Sequence, residues 1–255
     1  MCGRYTLFGN WKSALPPDII LDELIEFQDI IDNYNVTPLH TMPILKAENQ
    51  DIHATAMRWG FVPAWSKESA PQGMINARSE TVSEKPSFRH AFKQRRCLIP
   101  MNGFYEWASS PYGKKQPVYC SSSQGELLFA AGIWEHWSSP DKSISFDSFA
   151  IITVSANSVM RAFHERMPAF INKDSFQSWL FDSEHAAGLL LPRPSSDCRA
   201  IYVGTGVNNA RMNNPELIRE CPPIVKSNEI IPTKPPSGGI NLRNSNDNSE
   251  QGALF

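Results

Sequence analysis

The sequence predicts an α+β fold carried by a curved, barrel-like, mostly antiparallel sheet with peripheral helices. Three observations lead there. Short apolar runs recur at 42–47, 52–62, 116–121, 127–137 and 148–156, each bounded by turn-forming residues as strands are. Helical periodicity is confined to a few brief stretches. Twenty prolines are spread through 255 residues, and each removes a backbone donor and interrupts long regular elements. Many short strands with few long helices describe a sheet with helices set around it.

Composition narrows the class. The chain is 41% hydrophobic and 20% charged, which suits a globular protein with one large core or two small ones. No apolar run reaches the roughly 18–20 residues that cross a bilayer, so no membrane association is expected. The start has neither a basic region nor an apolar signal core, and a cytoplasmic location is expected. Five cysteines without CxxC spacing fit reduced thiols in a cytosol. Six histidines without HxxxH or His/Cys pairing predict no metal site. The formal net charge of −2 gives no overall attraction for nucleic acid, so DNA binding would need a local basic surface.

Taken in order, residues 3–8 read as a strand carrying the N-terminus into the core. Residues 18–31 read as a helix, with Ile20, Leu24, Phe27 and Ile31 on one face and acids on the other. Pro38 biases Thr37 toward extended backbone. Strands 42–47 and 52–62 pair through the polar turn Glu48-Asn49-Gln50-Asp51. Between 78 and 96, Arg78, Lys85, Arg89, Lys93, Arg95 and Arg96 stand against Glu80 and Glu84, with Phe88 and Phe92 at helical spacing. That stretch is either a helix with a solvated basic face or a phosphate-binding surface with an aromatic entering the base stack. Trp59 and Trp65 are core or lid packing, or stacking platforms. A short helix at 176–181 and a strand at 199–204 follow. From about 228 the composition turns to Pro, Gly, Ser and Asn, the signature of a disordered tail. The expected domain is therefore 1–227, with a tail at 228–255.

The chemistry begins at Cys2. Removal of Met1 would give Cys2 a free α-amine beside its thiol. Such groups titrate near ~7.7–8.0 and ~8.5, so both are partly deprotonated at cytoplasmic pH. The amine attacks an aldehyde to form an imine, and the thiol closes a thiazolidine on the same carbon. Glu106 lies in the aromatic strand Gly103-Phe104-Tyr105-Glu106-Trp107, where a carboxyl is either buried with a partner or raised in pKa by desolvation, which would suit it to acid/base work. His164, beside Glu165 and Arg166, is an acid/base or phosphate-binding candidate.

Seven segments in order resemble the SOS response-associated peptidase (SRAP) family of abasic-site-processing proteins. They are Met1-Cys2-Gly3-Arg4-Tyr5, Tyr34-Asn35-Val36-Thr37-Pro38, Trp59-Gly60-Phe61-Val62-Pro63-Ala64-Trp65, Asn76-Ala77-Arg78-Ser79-Glu80-Thr81, Arg96-Cys97-Leu98-Ile99-Pro100, Gly103-Phe104-Tyr105-Glu106-Trp107 and His164-Glu165-Arg166-Met167-Pro168. The resemblance implies a monomer that captures abasic (AP) sites covalently in single-stranded DNA and near junctions with duplex, without a cofactor. It implies Cys2 as nucleophile, Asn76 orienting it, Glu106 as acid/base, and His164 aiding proton transfers and reversal of the link. It places Arg4, Arg78 and Arg166 on phosphates, with Asn35 and Trp65 in the DNA groove. AP-lyase cleavage would be a side reaction, and the family's peptidase activity would reduce here to removal of Met1. Gln251, Leu254 and Phe255 at the tail's end resemble a bacterial sliding-clamp-binding pentapeptide. The alternatives are an N-terminal-nucleophile glutamine amidotransferase, which also begins Cys-Gly, and a passive single-strand binding module.

Overall fold

A computed structural model of the chain describes residues 2–22, 32–67, 72–109, 113 and 115–224. Met1–Ile224 forms one compact unit. The expected tail, with Gln251, Leu254 and Phe255, lies outside the described residues.

The predicted barrel is present. Its walls are β4 (Thr41–Glu48), β5 (Asp51–Trp59), β7 (Arg96–Met101), β10 (Leu128–Ser138) and β11 (Ser145–Ser155). Neighbours run antiparallel in the order β11-β10-β7-β4-β5. Closure comes from a parallel pairing of β5 with β11, at Arg58↔Ser148 and Trp59↔Phe149. Closing the sheet on itself removes the exposed edges that an open sheet would present. The hairpin between β4 and β5 turns on Asn49 and Gln50, both at positive φ, as a two-residue loop matched to strand twist requires. Inside, Trp59 is fully buried, meets Tyr5 edge-on at 5.1 Å, stacks on Phe149 and donates Nε1–H to Ile75 O at 3.0 Å. Gly132 leaves no room for a side chain: a Cβ there would lie 2.3 Å from Ile99 Cδ1 and 2.9 Å from Ala150 O.

A second, five-stranded sheet runs β13-β9-β8-β1-β3. Its members are β1 (Tyr5–Leu7), β3 (Asn33–Val36), β8 (Gly103–Ser109), β9 (Lys115–Ser122) and β13 (Cys198–Tyr202). The N-terminal strand β1 is thus flanked on both sides, which explains why Cys2 is buried rather than frayed into solvent.

Two expectations are corrected. Residues 20–21 are not helical: Ile20–Leu21 form the short strand β2, parallel to β5 at His53 and Ala54, and both side chains are exposed. Backbone pairing with β5 outcompetes the helical period there, and Asp22 adds a 2.9 Å contact to His53 Nδ1. The remainder of the expected helix, 23–31, lies outside the described residues. Of the two readings of the basic stretch, a helix with an apolar face and a solvated basic one stands, and the base-stacking aromatic is corrected. The helix, α1 (Arg89–Gln94), is short, and Phe88 and Phe92 are buried. Arg96 is buried as well, donating to the carbonyls of Phe92, Lys93, Trp179 and Leu180. It thereby ties the end of α1 to the helix α3 (Phe176–Phe181).

Candidate functional site

Strand pairing assembles the site from distant parts of the chain. Past the barrel, β11 continues between β6 (Asn76–Arg78), which is parallel to it, and β12 (Arg166–Pro168), which is antiparallel. Thr153 therefore pairs with Arg78 on one side and Pro168 on the other, while Ser155 pairs with Arg166. Arg78, Glu80, Thr81, Ser155, His164 and Arg166 line a cleft of about 660 Å³. On the second sheet, Tyr5 pairs with Phe104 and Thr6 with Gly103, and Tyr105 N–H reaches Arg4 O at 2.9 Å. Continuing that antiparallel register brings the segment before Arg4 alongside Glu106.

Cys2 is fully buried. Asn76 donates from Nδ2 to Cys2 O at 2.9 Å, and the Cys2 thiol points to Arg4 O at 3.7 Å. Asn76 Oδ1 is buried and accepts no hydrogen bond among the described residues. Burial, reinforced by the negative charge of Glu106, pushes the Cys2 thiol far above its ordinary pKa. The expected partly ionised thiol is thus corrected: at neutral pH Cys2 is a neutral thiol, because its site is dry and faces an acid. Glu106 is 3% exposed. Its carboxyl is raised by desolvation, one of the two readings the sequence offered, with the charge of His164 acting against the rise.

His164 Nδ1 accepts the backbone N–H of Arg166 at 2.9 Å. In the neutral ring that contact leaves the proton on Nε2. Asn157 caps the preceding turn, α2 (Ser158–Arg161), by accepting Met160 N–H at 2.9 Å, which sets where the segment to His164 begins.

The structure divides the remaining candidates. Arg78 is exposed in the cleft. Trp65 is 66% exposed, in a loop held where Trp137 Nε1–H meets Ser66 O at 2.9 Å. Arg4 instead braces the loop at 205–212: its Nη1 donates to Asn35 Oδ1 at 2.7 Å and Val207 O at 2.5 Å. Asn35 is 1% exposed and gives its amide protons to Asn209 O and Met212 O, so its side chain is committed inside the protein. Phe88 packs edge-on against Phe61 at 5.5 Å, away from any base stack. Arg166 is gripped by Glu80 at 2.5 and 2.9 Å and by Thr153 O. Sequence reasoning named Glu80 within a motif and as an acid of the basic stretch but missed its pairing; the two partners are 86 residues apart. Cys120, opposite Phe104, was missed too, although burial and then the nearby Glu106 raise its thiol pKa. Among the described residues no group of three or more His, Cys, Asp and Glu could hold a metal ion, and no described helix is long and apolar enough to cross a membrane.

Residues 1–210 match the family model described as SOS response associated peptidase (SRAP). Abasic site processing protein YoqW of Bacillus subtilis is 33% identical over 223 residues, covering 86% of this chain and 99% of that protein. Abasic site processing protein HMCES of Xenopus tropicalis is 32% identical over 219 residues, covering 73% of this chain and 65% of that protein. Among solved structures, a protein from Bacteroides thetaiotaomicron aligns with a TM-score of 0.77 at 25% identity, covering 86% of this chain and all of that one.

Proposed function

Because the chain belongs to the SOS response-associated peptidase family, we propose that it processes abasic sites by capturing them covalently in single-stranded DNA. The observation that carries this reading is the seating of Cys2: buried, its carbonyl held by Asn76, and electrostatically coupled to Glu106. The ring-opened AP sugar is an aldehyde. Once Met1 is removed, the Cys2 amine adds to that carbon to give a carbinolamine. Glu106, whose proton affinity desolvation raises, gives its proton to the departing hydroxyl, and water leaves an iminium ion. The Cys2 sulfur then attacks the same carbon. Its proton passes to Glu106, regenerating the acid, while the nitrogen recovers its electron pair. A thiazolidine and one water are the products, and no oxidant or cofactor enters.

A neutral thiol is compatible with this route, because the proton acceptor stands beside it and no standing thiolate is needed. Asn76 orients the amine, and His164 hydrogen-bonds the sugar hydroxyl from Nε2–H. Arg78 pairs with phosphate through its planar fork, and Trp65 offers a face for an unpaired base. The iminium ion acidifies the adjacent C–H, so β-elimination with strand cleavage competes until the ring closes. Substrates are single strands and their junctions with duplex, and a clamp-binding tail would hold the protein at replication forks. The N-terminal amidotransferase alternative gives way to the family match.

The test is an oligonucleotide carrying one AP site, incubated with the protein and run on a denaturing gel. The reading expects an adduct that Cys2→Ala abolishes while salt-sensitive binding persists. An adduct undiminished in Cys2→Ala overturns it. A passive binding module would give binding indifferent to both Cys2 and the AP site.

A further inference from the structure

We propose that Glu80 is a built-in competitor for the phosphate that Arg166 would otherwise hold, an inference that rests on the DNA-capture reading above. The geometry is that of an occupied phosphate fork. Arg166 Nη1 and Nη2 each meet one oxygen of Glu80, at 2.5 and 2.9 Å. Nη2 also meets Thr153 O and, at 3.4 Å, Thr153 Oγ1. A carboxylate and a phosphate use the same two-pronged guanidinium geometry, so one ligand excludes the other.

Exposure gives the arrangement its direction. The Arg166 side chain is 14% exposed and that of Glu80 is 50%, so Glu80 covers Arg166 on the solvent side. The Arg166 hydrogen bonds hold the Glu80 carboxyl below its ordinary pKa, which keeps it negative at neutral pH. A strand entering the cleft therefore meets one open cation, Arg78, and one capped by a fixed anion. The Arg78 side chain makes no ion pair or hydrogen bond among the described residues. The pairing weakens the non-covalent hold on undamaged single strands while leaving an arginine that phosphate can claim at the cost of displacing Glu80. Only a strand retained in the cleft by other contacts, such as a captured AP site, would shift that balance.

The experiment uses the full chain and a deoxythymidine single strand without an AP site, so covalent chemistry contributes nothing. Affinity is measured between 50 and 200 mM salt for the protein, Glu80→Gln, Arg166→Met and the double variant. Each added phosphate contact on a single strand steepens the log–log salt dependence by about 0.7. Glu80→Gln is expected to bind more tightly and to lose roughly 2.6-fold more affinity than the parent across that four-fold salt range. In the Arg166→Met background the same change is expected to have no effect on the slope. Arg166→Gln is the second background if Arg166→Met does not fold, as judged by its melting curve. An unchanged slope or weaker binding in Glu80→Gln overturns the proposal, because Glu80 would then only scaffold Arg166. Steepening that survives without Arg166 overturns it too, since Glu80 would then be repelling DNA directly. Adduct yield on an AP oligonucleotide, read in parallel, reports on the capture reading alone.

Discussion

The two sheets of this protein do opposite work with similar strands. The closed barrel buries tryptophan, phenylalanine and aliphatic side chains and fixes register by close approach, as at Gly132. The barrel's buried charges are paired, Arg96 with four carbonyls and Glu135 with Arg95, whereas the five-stranded sheet buries Glu106 and the Cys120 thiol, groups whose charged forms are costly in a dry interior. The barrel continues past its own closure through β11, and that overhang collects Asn76, Arg78 and Arg166 from distant segments. On the proposed reading, chemistry comes from one sheet and anchoring from the other, and the site lies where they meet. A rigid, apolar scaffold is what allows the neighbouring sheet to hold an acid in an unfavourable place.

Substitutions on either side of the seam should separate the two roles. The largest effect is expected from Glu106→Gln, which removes the proton carrier while keeping its shape. Adduct formation should slow by ~10²–10⁴, the usual span for a general acid–base, as read from single-turnover gel kinetics. The same variant has an opposite effect on stability. A carboxyl raised by desolvation contributes stability fully below its unfolded pKa near ~4.3 and loses it as pH rises through its folded pKa. Glu106→Gln should therefore be more stable than the parent at pH 7, with the gap closing on acidification toward ~4.3. Thermal melts across pH check this, and a gap that widens on acidification contradicts it.

Next in size is Trp59→Ala, which empties the packing between β1, β5 and β11. It should cost about 3–5 kcal/mol and, for a chain of this size, lower Tm by roughly 6–20 °C. Because Trp59 also donates to Ile75 O next to Asn76, residual adduct formation should fall even where the protein remains folded. The smallest effects compare two aromatics. Trp65→Ala should leave Tm unchanged and weaken single-strand binding by ~1–3 kcal/mol per stacked base. Phe88→Ala should do the reverse, lowering stability by about 3–5 kcal/mol with affinity of the folded fraction unchanged. Equal effects of the pair on binding would erase the distinction between an exposed platform and a core residue.

What was legible in the sequence follows the same division. Alternation and turn residues identified the barrel's antiparallel strands because neighbours in the chain pair with each other. The parallel closure of β5 on β11 left no local trace, since its partners are some ninety residues apart. Residues 20–21 misled because the apolar spacing satisfied a helical period while a neighbouring strand offered backbone pairing. The desolvation of Glu106 was legible from its aromatic context. Burial of Cys2 itself was not, because a second residue reads as a free end until β1 is seen between β3 and β8. The commitments of Asn35 to the 209–212 loop and of Arg166 to Glu80 are long-range contacts of the same kind.

The most direct test of the central claim is intact-mass spectrometry, under denaturing conditions, of Met1-free protein mixed with an AP-site oligonucleotide. The account predicts a species at the summed mass less one water, absent in Cys2→Ala and unaltered by borohydride, which reduces an imine but spares a thiazolidine. Met1-free protein that gives no adduct, or one that borohydride traps in full as a reduced imine, would contradict it.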